Sequence, residues 1–301
     1  MPTDEGTDVS ADAFAALSDP TRVAILQALW DAEDHEASFS ELREAVGMRD
    51  SGQFNYHLGK LTDQFVQQTE EGTYELRLAG IHVVGSLLAG AYTGDAAIGP
   101  MPSGEMCPDC GREATFEYDG DGFEIQCEEC EPGWLLMMPA PRGVFEPYDP
   151  EEAPAVAGRY ARELIREITN NFCPFCQGPV SVEVSETEQS GENDKNSEDE
   201  RSDRDGLPRA EFRCERCEEL FQTELGVPLH EHPAVVSFFY DHEIDVREAP
   251  LFRLLASSTD DAWVTETDPF RAVVRYTVED DALELTVDDE LTVTDVWRSD
   301  V

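Results

Sequence analysis

The chain has 301 residues, of which 66 are acidic and 21 basic, giving a formal net charge of −45 at pH 7. That length predicts two to four compact units, and 40% hydrophobic residues supply real cores, which excludes a globally disordered chain. The opening MPTDEGTDVS lacks the basic and apolar regions of a leader, and the apolar run near Ile81–Tyr92 is too short to span a bilayer. No membrane contact and a cytoplasmic location are therefore expected.

In chain order, residues 1–95 read as the first unit. A short helix over Ser10–Leu17 ends at Ser-Asp-Pro-Thr-Arg, where Asp19 can cap and Pro20 can open a second helix. Val23, Ile25, Leu26, Leu29 and Trp30 give that helix a broad apolar face. A third helix starts at the capping box Ser38-Phe-Ser-Glu41 and stops at Gly47. A fourth is SGQFNYHLGKL, Ser51–Leu61, capped by Asp50 or Ser51. Phe65–Thr69 and Thr73–Leu78 flank Glu70-Glu-Gly72 as a hairpin, and an apolar helix follows over Ala79–Tyr92. This α-α-α-α-β-β-α order is that of a winged helix-turn-helix.

Beyond it the expected segments are a first cysteine module at 100–145, a connecting helix at 150–170, a second module at 171–225, and an α+β region at 230–301. The whole is α+β and multidomain. In the connecting helix Val156, Tyr160, Leu164 and Ile168 recur every four residues as one apolar stripe. Residues 185–206 carry many charges and no aromatic or aliphatic side chain, and are expected to be a disordered loop tip. The last region should hold helices at His232–His242 and Ala249–Ser257, then a meander of strands: Phe270–Val278, Ala282–Val287 and Leu291–Trp297.

All eight cysteines fall in Cys-x-x-Cys pairs: Cys107/Cys110, Cys127/Cys130, Cys173/Cys176 and Cys214/Cys217. In a chain without a leader this favours metal ligation over disulfides. Between Cys110 and Cys127 there is room for one hairpin, Ala114–Tyr118 and Phe123–Gln126, so the first two pairs form one four-cysteine zinc ribbon and the last two a second. About two Zn2+ per chain are expected; iron uses the same ligands. Closed four-thiolate sites leave no open position for chemistry, and thioredoxin-type redox motifs need a βαβ setting that is missing here. His230, His232 and His242 suit capping or packing. With no phosphate loop and no trusted catalytic constellation, no enzyme is expected.

On a helical projection Phe54, Leu58, Leu61 and Phe65 share one face. Gln53, Tyr56 and Lys60 then point outward, with Asn55 and His57 on the flanks. Outward amides can bond adenine, and lysine can bond phosphate or guanine. From Arg49 to Gln64 basic and acidic residues balance, a neutral island in an anionic chain.

Phe14-Ala-Ala-Leu-Ser-Asp-Pro-Thr-Arg-Val-Ala-Ile-Leu26 resembles the opening of the ArsR-type winged helix regulators. Ser51-x-x-x-Asn55-x-His57-Leu58-x-x-Leu61 is similar to that family's recognition helix, with Asn55 where serine is usual. The resemblance spans residues 10–92, and the RDSGQFNYHLGKL wording with a cysteine-rich tail resembles the haloarchaeal branch, as does a low-lysine chain with acid in every segment. It implies a homodimer on double-stranded DNA, read by Arg49, Gln53, Asn55, Tyr56 and Lys60. It also implies pairing through the first and last helices, for which Ile81, Val84, Leu87, Leu88 and Tyr92 are suited, and a packing and hydrogen-bonding role for His57 in place of a ligand role. The tail is then available for dimerisation, effector binding or the transcription machinery. The third helix carries no cysteine, which argues against arsenic or cadmium sensing there, and Glu70 and Glu71 give the wing little attraction for phosphate. The competing reading is a protein-interaction adaptor with no specific DNA site.

Overall fold

The computed structural model describes residues 4–92, 97–107, 110–130, 134–186, 207–247 and 262–300. The chain is α+β, with four antiparallel sheets and seven α-helices among the described residues. It divides into two compact units, Met1–Asp95 with Pro141–Gly143, and Ala96–Ala140 with Val144–Val301. The helix expected at Ala249–Ser257 lies outside the described residues, as does 187–206 of the expected loop tip.

The first unit runs α1 (Asp4–Leu17), α2 (Pro20–Asp31), β1 (Glu36–Ala37), α3 (Phe39–Ala45), α4 (Ser51–Leu61), β2 (Val66–Gln68), β3 (Tyr74–Leu76) and α5 (Leu78–Leu88). Its helix starts are set by local chemistry. Asp19 accepts the Thr21 N–H ahead of Pro20, Ser38 and Glu41 close a reciprocal capping box, and Asp50 accepts the N–H groups of Gly52 and Gln53 at 2.8 and 3.0 Å. Each such cap stabilises its helix by about 1 kcal/mol.

Ile25, Leu26, Leu29, Leu42, Phe54, Leu58, Leu61, Phe65 and Val84 bury one continuous core in this unit. Burial of a side chain the size of Phe54 contributes roughly 1.5–3 kcal/mol. The strands pair in the order β1-β3-β2. Helix α5 approaches the hairpin so closely that a Cβ on Gly80 would lie 2.4 Å from the Phe65 carbonyl oxygen. Only glycine fits there.

In the second unit β4 (Ile98–Met106), β5 (Glu113–Tyr118), β6 (Gly122–Gln126) and β7 (Trp134–Pro139) form a sheet in that order. It buries Phe116, Tyr118, Phe123 and Ile125 against Phe145 and helix α6 (Ala153–Thr169). The buried stripe of α6 is Ala153, Val156, Ala157, Ala161, Ile165 and Ile168, which corrects the expected every-fourth series. Tyr160 and Leu164 project into the same arc of the helix but are only half-buried, whereas the small Ala153, Ala157 and Ala161 are buried.

A second sheet holds β8 (Val180–Glu186), β9 (Pro208–Cys214) and β10 (Leu220–Glu224). Ser185 and Glu186, expected in the loop tip, are instead paired with Arg209 and Pro208. After α7 (Pro233–Asp241) comes the meander β11 (Ala262–Thr267), β12 (Phe270–Val278), β13 (Asp281–Val287) and β14 (Val293–Asp300). One core joins this sheet to the preceding one, with Phe212, Val180, Phe238, Phe239, Tyr276 and Leu285 in a single cluster. Buried polar groups seal it: the Tyr276 hydroxyl donates to the Gly226 carbonyl at 2.7 Å, and Val184 N–H donates to the Asp289 carbonyl at 2.8 Å. No helix among the described residues is long and apolar enough to cross a membrane.

Candidate metal centres and an exposed helix

Antiparallel pairing brings distant cysteines together. In the first module β5 and β6 run side by side, Thr115 opposite Gln126, so the chain returns Cys127 and Cys130 to Cys107 and Cys110. In the second, Val180 sits opposite Cys214, which returns Cys214 and Cys217 to Cys173 and Cys176. Within each set all four sulfurs lie within 4.8 Å of one another.

The spacings distinguish the chemistry. Cys107–Cys130 and Cys110–Cys127 are 3.8 and 3.4 Å apart, Cys173–Cys217 and Cys176–Cys214 3.7 and 3.4 Å. A disulfide would need about 2.05 Å. A tetrahedron of sulfurs about 2.3 Å from a central ion has edges of about 3.8 Å. Both centres are positioned to bind a metal ion.

The backbone prepares this geometry with one recurring turn. Cys107, Cys173 and Cys214 each donate their N–H to the carbonyl five residues on, those of Arg112, Gly178 and Glu219, at 2.7 to 2.9 Å. The carbonyls of the same cysteines accept from Gly111, Gln177 and Glu218, at 2.9 to 3.1 Å. Those three acceptor-bound residues all adopt positive φ. At Gly178 an added Cβ would lie 3.1 and 3.3 Å from the sulfurs of Cys176 and Cys214, so this glycine makes room for the centre itself.

In each centre one cysteine is favoured as a thiolate while another holds its proton more tightly. The backbone N–H groups of Arg216 and Cys217 approach Cys214 Sγ at 3.4 and 3.5 Å. Donation from Cys217 chiefly, and then Arg216, lowers the Cys214 thiol to about 6. The Glu129 N–H similarly lowers Cys127 to about 7. Cys130 is pushed the other way, because it retains the proton shared with Cys110 and Cys127. Stabilised anionic sulfur with tetrahedral spacing is what a thiophilic divalent ion requires.

Helix α4 presents a separate surface. Gln53, Asn55, Tyr56 and Lys60 are exposed on it, as is Arg49 just before it. Lys60 Nζ lies 5.7 Å from the centre of the Tyr56 ring, so the two form one cationic, aromatic patch. His57, expected on the flank, is 7% exposed and faces inward. It lies about 60° round the helix from Phe54, within the arc that packs on the core.

On α5 Ile81 and Leu88 are exposed, Leu87 is half-buried, and Tyr92 just beyond the helix is 73% exposed. Val84 corrects the expected pairing surface: at 1% exposure it belongs to the unit's own core. Phe14 and Leu78 are exposed apolar residues that periodicity did not single out. The histidines near α7 serve its ends. His232 accepts the Ala234 N–H at the start, and His242 Nδ1 and Nε2 lie 2.8 and 3.0 Å from the Phe238 carbonyl and Asp281. His230 is buried beside the Tyr276 ring.

Comparison with known proteins divides the chain in two. Residues 10–87 match a family described as a domain of unknown function, DUF7347. No curated protein and no solved structure matches the chain. The match to residues 104–293 takes in both cysteine centres, α6, α7 and most of the meander, and by it the chain belongs to the family described as a domain of unknown function, DUF7351.

Proposed function

We propose that this protein is a DNA-binding transcription regulator whose first unit is an ArsR-like winged helix-turn-helix, acting as a homodimer, with zinc in both cysteine centres. The observation that carries the reading is α4: a capped helix whose inner face is core and whose outer face offers Gln53, Asn55, Tyr56 and Lys60. Short polar and aromatic side chains on a rigid helix are the groups that read base edges. The exposed Phe14, Leu78, Ile81, Leu88 and Tyr92 on or beside α1 and α5 support pairing through those helices. The clusters are closed sets of four cysteines, which favours a structural ion over a catalytic one.

The net charge of −45 dictates the conditions. In dilute salt so anionic a dimer is repelled by DNA, whereas at about 1 M salt the Debye length is about 3 Å and only local contacts count. Binding therefore needs molar salt and takes up cations at the interface.

The test is selection of genomic fragments by the metal-loaded protein in molar KCl, repeated with Gln53→Ala and Tyr56→Ala. Each substitution should weaken binding to the selected fragments at least tenfold, with unchanged metal content. Binding unaffected by both would favour the adaptor reading, as would an absence of any preferred fragment.

A further inference from the structure

We propose that Asp19 and His57 form a positioning pair that seats helix α4 on the N-terminus of α2, and so sets the register in which Gln53, Asn55 and Tyr56 meet DNA; this rests on the reading role proposed for α4. His57 is buried within the first unit, where an apolar side chain would fill the space equally well. What the imidazole adds is Nδ1, aimed at Asp19 Oδ2 from 3.7 Å and without a hydrogen-bond partner among the described residues. Asp19 spends its other oxygen on the Thr21 N–H at 2.8 Å, leaving Oδ2 open. Arg22 Nε, one turn into α2, is likewise enclosed with no hydrogen-bond partner among the described residues. Buried polar atoms are normally bonded, so open nitrogens gathered near one carboxylate mark a contact that is not fully closed.

The gap is small. A movement of α4 toward α2 by about 1 Å brings Nδ1 within hydrogen-bonding distance of the carboxylate. The Tyr56 ring meets the His57 ring edge-on, 5.5 Å between centroids, so the position of His57 is passed directly to an exposed reading residue. DNA pressing on the outer face of α4 closes the pair. The histidine side chain is 9% exposed and the aspartate 31%, so molar salt screens this contact far less than it screens the surface.

The experiment compares operator and non-specific DNA binding, in molar KCl, by the full-length metal-loaded protein and by His57→Leu, His57→Gln and Asp19→Asn. Asparagine caps a helix as well as aspartate does, so Asp19→Asn removes the charge and keeps α2 intact. His57→Leu and Asp19→Asn should each lower operator affinity about tenfold, about 1.4 kcal/mol, and leave non-specific binding and the thermal midpoint nearly unchanged. The double variant should be no worse than either single one. His57→Gln, whose amide can reach Oδ2, should recover most of the loss. In nitrogen-15 spectra the imidazole signals of His57 should shift on adding operator and stay fixed with non-specific DNA. Wild-type operator binding together with unaffected variants, or losses that multiply in the double variant, overturns the pair alone. A wild-type protein that prefers no DNA sequence overturns the reading of α4, and the pair with it.

Discussion

Around Cys107 the left-handed position of the turn is Gly111, at φ 67°; around Cys173 and Cys214 the same place is taken by Gln177 at φ 57° and Glu218 at φ 63°. The hydrogen bonds are alike in all three turns. Glycine is therefore convenient at that place and not required; the bonds to the leading cysteine hold the conformation. The larger difference lies behind the sulfurs. Cys173 and Cys214 are members of the apolar cluster that also contains Phe212, Phe238, Tyr276 and Leu285. Cys107 and Cys127 are buried, yet stand outside the cluster that packs on α6. One centre is part of a core and the other is attached to one.

That contrast is broken most forcefully by removing a ligand from each. Apparent binding energies of structural zinc are about 10–16 kcal/mol, as large as the stability of many domains. Cys214→Ser should abolish cooperative unfolding of the second sheet, α7 and the meander. Cys107→Ser should cost one metal ion and leave amides of β12 and β13 protected. Metal analysis with fragment-resolved hydrogen exchange reads both, and equal loss of protection in the two variants would refute the distinction.

A smaller effect compares glycines. Gly178→Ala places a methyl group 2.8 Å from Arg216 Cβ and against two sulfurs, and should weaken metal retention at the second centre at least tenfold in competition with a chromophoric chelator. Gly111→Ala meets nothing within 4 Å and should cost only the left-handed penalty, about 1–2 kcal/mol, with metal retained. If both variants release metal equally, steric room at Gly178 is not what matters.

The smallest effect has the opposite sign. Glu218→Gly relieves a left-handed non-glycine residue, offset by the greater freedom of the unfolded chain, for a net gain of up to about 1 kcal/mol. A rise of the thermal midpoint by a few degrees is expected; a fall would mean that Glu218 contributes through its side chain.

The cysteine pairing and the hairpins between them were legible because both are local patterns: ligand spacing and strict alternation over Ala114–Tyr118 and Phe123–Gln126. The outer face of α4 was legible for the same reason. What escaped depends on residues far apart in the chain. Strand β1 is two residues long, too short for any pattern, and exists because Glu36 and Ala37 fall beside Glu75 and Tyr74. The helical projection alone leaves His57 on the flank, and its packing role comes only from the family resemblance, because the breadth of the core beneath α4 is not revealed by a single helix. The joining of the second centre to the meander rests on contacts such as Val184 with Asp289, separated by most of the C-terminal region.

The β8–β9 ladder opens with Val180 opposite Cys214 and closes with Glu186 opposite Pro208. The sulfurs sit at one end of that ladder and the intervening chain leaves from the other. Lengthening the chain there adds little closure cost and moves no ligand. The position between 186 and 208 is thus a socket for variation: a reporter peptide or a whole small domain can be spliced in while the metal centre remains assembled.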